Sequence, residues 1–464
     1  MKEFCGLFGI YNHPSAAQMT YPGLFALQHR GEEAAGICTS DGKNLNIYKN
    51  RGLVGEVFDE TILAKLGGNH AIGHTRYSTT GSSTLINAQP YKVTYSRGQV
   101  AIAHNGNLVN AQQLRTELEA YGSIFGSTMD SEILVHLMAR PPFHSHDEAV
   151  IESIKRVEGA YCFVILTENQ LIGVRDPRGF RPLCLGKLGD SYCLASETCA
   201  FDLIEAEFIR EIEPGEVVVI DEQGLHSYLP FKDYGIQKAQ CIFEHVYFAR
   251  PDSTIFDDNV GLVRERLGRN LAKEHPADAD LVVSVPDSGN FAAMGYAHES
   301  GIPLAHGFIR NHYVGRTFIN PSETARSLKV KIKLNPIRQI VGGQRVVVID
   351  DSIVRGNTSR SRVKLLRRAG AKEVHMRISC PPHISPCYYG IDFPSKKELL
   401  ACNKTIEEIK VFLDVDSIGY LSVQGMLAAT SQDKNNFCTA CFTGRYPTLI
   451  FDDVDKFKLE KKRK

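Results

Sequence analysis

The stretch Val346-Val347-Val348-Ile349-Asp350-Asp351-Ser352-Ile353-Val354-Arg355-Gly356-Asn357-Thr358-Ser359 decides how the second half of this chain folds. Four apolar β-formers in a row read as a strand buried on both faces. The helix expected from Thr358 to Arg368 and the strand expected from Glu373 to Ser379 complete a βαβ unit, which implies a parallel sheet. Two adjacent carboxylates close the first strand at its carboxyl end, where α/β sheets place their ligands. Side by side there they are costly unless they meet a ribose diol, a cation or both. Gly356 to Ser359 then open the helix, and free amides and hydroxyls at a helix start suit a phosphate dianion. The alternative is an ordinary strand–turn–helix whose acids cap the helix and face solvent. A lone Asp-Asp would fit it; this long string argues against it.

Working outward, the chain has 464 residues, 43% apolar and 23% charged, with 53 basic residues against 53 acidic. At ~150 residues per domain, two large domains fit as well as three small ones. The balanced charge gives no support for nucleic acid or an anionic membrane as partner. Ordinary aliphatic content excludes a disordered or fibrous chain. No apolar run approaches the ~20 residues of a membrane span. The start, Met1-Lys2-Glu3-Phe4-Cys5, has one lysine followed at once by an acid, and the apolar stretch after it ends by Asn12. No signal peptide is expected, and a soluble, cytoplasmic protein is. The 12 cysteines show no compact disulfide framework, which leaves catalysis, metal ligation or burial. Cys162 and Cys193 lie in strand-like runs and read as small core hydrophobes, as do Cys38, Cys184 and Cys199.

Up to a seam expected near Leu229 to Gln240, the texture is of short strands and turns with helices between. Gln99 to Ala103 reads as a strand ending at His104. Gly215 to Ile220 and Leu225 to Leu229 read as a hairpin around the four-residue turn Asp221-Glu222-Gln223-Gly224. Ala111 to Tyr121 and Ser131 to Met138 read as helices. Past the seam, Asp280 to Val285 is a buried strand, followed by a glycine-bearing turn and a helix from about Phe291 to Glu299. The basic end, Lys456 to Lys464, reads as a solvated tail.

Cys5-Gly6-Leu7-Phe8-Gly9-Ile10 puts a cysteine at the head of a glycine-spaced strand. Its significance comes from company: Gln28-His29-Arg30-Gly31, Gly73-His74-Thr75-Arg76-Tyr77-Ser78-Thr79, His104-Asn105-Gly106-Asn107-Leu108 and Ser127-Thr128-Met129-Asp130-Ser131-Glu132. Arginine and aspartate together can clamp the two charged ends of a free amino acid. Asn105 and the Gly106 amide can supply paired donors to a developing oxyanion. A thiol exposed as residue one has beside it an α-amino group with a pKa of about 8, able to serve as the base. Near the other end, Cys438-Thr439-Ala440-Cys441 is a CxxC with Cys241, Cys380 and Cys387 far upstream. Spacing alone leaves zinc, a redox dithiol, an iron–sulfur corner and coincidence open.

The string around Asp350 closely resembles the phosphoribosyl pyrophosphate (PRPP) motif of type I phosphoribosyltransferases. That resemblance implies that Asp350 and Asp351 hold the ribose hydroxyls and Mg²⁺, and that Arg355, Gly356, Asn357, Thr358 and Ser359 wrap the 5′-phosphate. It makes Pro286-Asp287-Ser288-Gly289 the pyrophosphate loop, with Asp287 and Ser288 at PRPP and Ser288 reaching the metal. Arg316-Thr317-Phe318-Ile319 and the basic cluster Arg326, Lys329, Lys331 and Lys333 resemble the family's lid. Asn357 stands where that family usually carries threonine and can still donate to a phosphate oxygen. The first-half segments, in their order, resemble the glutaminase domain of N-terminal-nucleophile (class II) glutamine amidotransferases. On that match Cys5 attacks the glutamine amide, and Asn105 with Gly106 forms the oxyanion hole. Arg76, Asp130 and Arg30 bind glutamine, Arg76 at its carboxylate and Asp130 at its ammonium. Residues 1–4 are then a propeptide that must be removed. Glu32 departs from the glutamine often found after Arg30-Gly31.

Cys241-Ile242-Phe243-Glu244-His245, Cys387-Tyr388-Tyr389-Gly390 and Cys438-Thr439-Ala440-Cys441-Phe442 resemble an iron–sulfur subclass, implying one [4Fe–4S] cluster on Cys241, Cys387, Cys438 and Cys441. Cys380 and Cys402 are expected to be ordinary. Together the halves resemble the glutamine PRPP amidotransferase family over nearly the whole chain. The fold implied is a four-layer αββα Ntn-hydrolase glutaminase at 5–232, then an α/β parallel-sheet phosphoribosyltransferase domain at 233–464 with a helical, iron–sulfur end. The implied reaction makes 5-phosphoribosylamine, pyrophosphate and glutamate from PRPP and glutamine, the entry step of purine synthesis, with ammonia passed through an internal channel. One Mg²⁺ and one cluster per subunit, feedback inhibition by AMP, GMP, ADP or GDP, and a homotetramer (or dimer) are implied with it; nucleic acid and membrane are not. A rival is another class II amidotransferase such as glucosamine-6-phosphate synthase, which would need sugar-isomerase motifs in place of Asp350-Asp351. A second rival is a PRPP or nucleotide sensor with a dead glutaminase.

Overall fold

The computed structural model describes residues 5–77, 84–140, 142–311, 334–391 and 395–450. The expected propeptide from Met1 to Phe4, Ser78 and Thr79, the lid residues from Arg316 to Ile319 and from Arg326 to Lys333, and the basic tail lie outside the described residues.

Residues 6–228 build two antiparallel sheets. The first has seven strands in the order Glu207–Glu211, Cys184–Leu188, Ser191–Ala195, Gly6–Tyr11, His70–Arg76, Ala34–Ser40, Leu45–Arg51. The second has six: Gly224–Tyr228, Val217–Asp221, Leu171–Arg175, Gly159–Thr167, Gly98–Leu108, Tyr91–Tyr95. Because alternate residues of a strand point to opposite faces, each sheet offers two apolar surfaces. The inner surfaces meet through Leu7, Cys38 and Ile72 against Ala101, Ala103, Val164 and Leu166. Helices Ala16–Ala26 and Cys199–Ile204 cover the outer face of the first sheet. Helices Ala111–Ala120, Glu132–Met138 and His146–Ile154 cover that of the second. The result is four layers, αββα, in which Gly159–Thr167 is buried at every position. Cys162, Cys193, Cys38, Cys184 and Cys199 are all core residues.

After a turn at Lys232–Tyr234, the chain enters a five-stranded parallel sheet ordered Leu304–Ala305, Leu281–Ser284, Arg345–Asp350, Glu373–Ile378, Ser417–Tyr420. The strand that ends in the acidic pair is central, and helix Asn357–Arg368 is its crossover to Glu373–Ile378. A two-residue parallel pairing, Gln240–Cys241 with Phe437–Cys438, ties the end of the described chain back to the start of this half. Among the described residues no helix is long and apolar enough to cross a membrane.

Two expectations are corrected. The strand expected to stop at Ala103 runs on to Leu108, because His104 to Leu108 stay in register with Phe163 to Gly159 despite their polar side chains. The hairpin turn is tighter than four residues: Asp221 pairs with Gly224, leaving Glu222 and Gln223 as the loop. Asp221 Oδ1 accepts the Gln223 N–H at 3.0 Å and so closes that turn locally.

Candidate functional site

The antiparallel register assembles the first site. Gly6 pairs with Thr75, which places Cys5 just beyond the ladder and beside Arg76. One cavity is walled by Cys5, Arg76, Gly106 and Asp130, together with Tyr77, Gln89, His104 and Met129. Cys5 Sγ donates to the Tyr77 carbonyl at 3.5 Å. Burial outweighs the Tyr77 contact and Arg76 and pushes the thiol up to about 11, so it is protonated at neutral pH and needs a base to become a nucleophile. Asn105 is fully buried, and neither Nδ2 nor Oδ1 has a hydrogen-bond partner among the described residues. An orphan amide in a core destabilises the fold unless something else uses it, and a transient anion would. Gly106 has φ +149°, and a Cβ there would stand 2.0 Å from the Ala160 carbonyl oxygen, so only glycine carries the strand through. Asp130 Oδ2 accepts the Leu108 N–H at 2.9 Å, and Oδ1 lies 3.5 Å from His104 Nδ1. Burial alone would raise its carboxyl; His104 and the backbone donors hold it below the ordinary range, so it stays charged.

Arg30 requires correction. It was expected at glutamine, but its guanidinium lies outside that cavity, 1% exposed, between two carboxylates. Nη1 meets Glu197 Oε1 at 2.6 Å, and Nη2 meets both oxygens of Glu244 at 2.8 Å. Its Nε reaches the Cys5 carbonyl oxygen at 3.4 Å. Arg181 Nη1 joins the same group at 3.0 Å from Glu244 Oε1. Four charges with almost no exposure are tolerated only because they pair two against two.

The second site is a cleft of about 520 Å³ at the carboxyl end of the central parallel strand. Its wall runs from Asp350 through Ser359 and includes Ser288, Tyr247 and Arg362. Asp350 and Asp351 are 1% and 5% exposed. Ser288 Oγ donates to Asp351 Oδ1 at 2.6 Å, the Ser352 hydroxyl donates to the other Asp351 oxygen, and Arg362 Nη1 meets Asp350 Oδ2 at 2.6 Å. Burial, seconded by the Asp351 charge, raises the Asp350 carboxyl well above the usual range against the pull of Arg362. Among the described residues Arg362 meets Asp350 and not Asp351, an imbalance that a divalent cation would redress, so this oxygen donor set suits Mg²⁺. Helix Asn357–Arg368 begins at Gly356, leaving the first amides, with Thr358 and Ser359, facing the cleft. Arg355 also lines it while paired with Glu398 at 2.8 Å. Asp287 does not line the cleft; its carboxylate pairs with Arg310.

Of the four cysteines singled out, Cys241 and Cys438 face each other in register, and Cys441 follows in the short helix Ala440–Thr443. The Cys441 carbonyl accepts the N–H groups of Ile384 and Ser385, which brings the Cys387 loop alongside. Cys387 Sγ itself accepts the Tyr389 N–H at 3.3 Å. All four are unpaired thiols, and burial raises each of them, Cys241 to about 11. Arg181 opposes that rise at Cys241, Cys387 and Cys438. Among the described residues no three His, Cys, Asp or Glu side chains form a group that could hold a single metal ion. What the described residues show is narrower: four cysteines from three segments come to one end of this half, and Arg181 acts on three of them.

Sequence reading missed Tyr247, Arg362, Gln89 and the partners of Arg30. Only Arg362 carried a signal, standing one helical turn after Thr358 on the same face. Comparison with known proteins adds to this geometry. Residues 74–202 match the family described as a glutamine amidotransferase domain. The chain is 51% identical to the amidophosphoribosyltransferase of Methanocaldococcus jannaschii, over 96% of this chain and 98% of that one. It is 47% identical to that of Bacillus subtilis, over 98% and 96%. The solved structure of the B. subtilis glutamine PRPP amidotransferase, complexed with ADP and GMP, superposes with a TM-score of 0.92 at 46% identity, covering 97% of this chain and 99% of that one.

Proposed function

The chain belongs to the amidophosphoribosyltransferase family and has that activity, moving the nitrogen of glutamine to PRPP; on that premise we propose how its residues divide the work. Cys5 becomes the first residue once residues 1–4 are removed, and its α-amine takes the thiol proton. The sulfur bonds the side-chain carbonyl carbon of glutamine, held by Arg76 at its carboxylate and Asp130 at its ammonium. Asn105 Nδ2 and the Gly106 N–H donate to the oxyanion, a use for the otherwise orphaned amide. Collapse breaks the C–N bond, the proton passes to the leaving nitrogen, and ammonia departs; water then cleaves the thioester to glutamate. Ammonia is a nucleophile only while unprotonated, so it travels inside the protein to the second site.

There Thr358, Ser359 and the amides of the helix start take the 5′-phosphate, with Arg355 and Asn357 at its rim, while Asp350 and Asp351 take the ribose hydroxyls. Asp350, Asp351 and Ser288 would hold Mg²⁺, which when bound neutralises the departing pyrophosphate. The ammonia nitrogen bonds C1 as the C1–O bond to pyrophosphate breaks, and loss of one proton from that nitrogen to solvent leaves 5-phosphoribosylamine. Cys241, Cys387, Cys438 and Cys441 would hold a [4Fe–4S] cluster, which when bound cross-links the end of the chain to the start of this half. The B. subtilis relative is seen with ADP and GMP, so purine nucleotides are the proposed inhibitors here, their 5′-phosphate entering the same cleft. A reducing, cytoplasmic compartment suits 12 unpaired cysteines.

The observation that carries this reading is the presence in one chain of the Cys5–Arg76–Gly106–Asp130 cavity, and the cleft walled by Asp350, Asp351 and a helix start. Purified protein given amide-¹⁵N glutamine, PRPP and Mg²⁺ should release glutamate and pyrophosphate in equal amounts, with ¹⁵N on the ribosylamine. Glutamate without pyrophosphate would refute it. Anaerobic protein should carry about four irons per chain; stoichiometric zinc would refute the cluster and leave the rest standing.

A further inference from the structure

Cys5 is poorly held by the sheet to which it leads. The ladder begins at Gly6, whose N–H goes to Thr75 Oγ1 at 3.1 Å, and Cys5 lies one residue outside it. Its carbonyl oxygen receives Arg30 Nε at 3.4 Å. The orientation of that carbonyl sets the backbone turn at residue 5, and with it the direction of both the sulfur and the residue's own nitrogen.

Two carboxylates orient Arg30: Glu197, of the same half, meets Nη1 at 2.6 Å, and Glu244 comes from the other half. Glu244 grips it with both oxygens, at 2.8 Å to Nη2 and 3.1 Å from Oε2 to Nη1. A fork held on two nitrogens leaves the guanidinium plane no freedom, so Nε can point only where that plane directs it. Glu244 is the first residue of a single π-helical turn, Glu244–Phe248, in the phosphoribosyl half. Such turns are uncommon and concentrate at functional sites. Arg264 fixes this one from the other side, donating to the carbonyls of His245 and Ala249 at 2.8 Å each. Tyr247, on the same turn, lines the phosphoribosyl cleft.

We propose that Glu244, supplied by the phosphoribosyl half, is a positioning residue for the nucleophile of the glutaminase half, acting through Arg30 on the Cys5 carbonyl. The inference rests on Cys5 as nucleophile. It differs from a plain structural role in what it spares: Arg76 and Asp130 still bind glutamine, and the phosphoribosyl cleft keeps its own wall.

Glu244→Gln and Glu244→Asp in the full chain provide the test. For Glu244→Gln, kcat with glutamine should fall at least ~10-fold while KM for glutamine stays within ~3-fold, the signature of an interaction needed in the transition state rather than in binding. Ammonium-driven synthesis should match wild type in both variants, and Glu244→Asp, which keeps the charge, should recover part of the lost kcat. If Glu244→Gln fails to fold, Glu244→Asp alone decides by the same split. Unchanged kcat, a loss confined to KM, or equal losses with glutamine and ammonium would overturn the proposal. Wild-type protein that cannot use glutamine, or Cys5→Ser that still can, would instead refute Cys5 as nucleophile, so the two failures are distinguishable.

Discussion

The glutamine cavity and the phosphoribosyl cleft hold their functional groups in opposite ways. The first draws Cys5, Arg76, Gly106 and Asp130 from four separated segments into one cavity, with antiparallel register placing Arg76 and Gly106, Cys5 just beyond the ladder and Asp130 on the loop before helix Glu132–Met138. The second draws most of its wall from one continuous run, Asp350 to Ser359, at a strand end open to solvent. Acyl chemistry needs donors fixed to a fraction of an ångström around a small oxyanion, which a sheet supplies. A phosphate ester is large and multiply charged, and one strand–turn–helix can meet it with amides and hydroxyls along its own backbone.

If that contrast holds, each site should fail alone. The largest loss should follow Asp350→Asn with Asp351→Asn. Pyrophosphate release should drop at least ~10³-fold with glutamine or ammonium, the scale seen when groups facing developing charge are removed. Glutamine hydrolysis without PRPP should persist in that variant; a parallel loss there would merge the two sites into one. Asn105→Ala should cost about 3–4 kcal/mol in the transition state, ~10²–10³ in kcat with glutamine, with ammonium-driven synthesis unchanged. A fall in both would mean that Asn105 braces the fold. Thr358→Ala should be milder: losing one hydroxyl to phosphate should raise KM for PRPP ~10-fold, on the scale of about 1.4 kcal/mol, and unchanged KM would remove Thr358 from the site.

A separate effect concerns stability rather than turnover. Glu132 accepts Tyr91 Oη and the Gly126 N–H at 2.7 Å each and the Ser127 N–H at 2.8 Å, bracing the loop that presents Asp130. Burial would raise its carboxyl, but these bonds and His136 lower it to about 2. A folded carboxyl below its unfolded value of ~4.3 stabilises above that pH and loses the contribution as pH falls toward 2. Glu132→Gln should therefore cost about 2 kcal/mol at pH 7 by denaturant titration, a difference that closes on acidification. A pH-independent difference would assign the effect to packing.

The same contrast explains what could be read from sequence. The phosphoribosyl site was legible as chemistry before any family entered, because its acids, glycine and hydroxyls are neighbours in the chain. The glutamine site was legible only as a combination of segments, since nothing local in Arg76 or Asp130 announces a partner at Cys5, 71 and 125 positions away. Arg30 shows the limit: it sits in the right segment, yet its carboxylates are 167 and 214 residues away, and no local pattern points to them. Strand Gly98–Leu108 was cut short for a related reason, as the polar run from His104 broke the apolar pattern while the pairing to Gly159–Thr167 continued. Asp287 likewise lies in the right turn but is held by Arg310.

Pyrophosphate release by Cys5→Ala, measured with ammonium and then with glutamine as nitrogen source, tests the division of labour most directly. The expected result is no release above background with glutamine and the wild-type rate with ammonium. A folded Cys5→Ala protein that still uses glutamine, or that has lost ammonium as well, would contradict it.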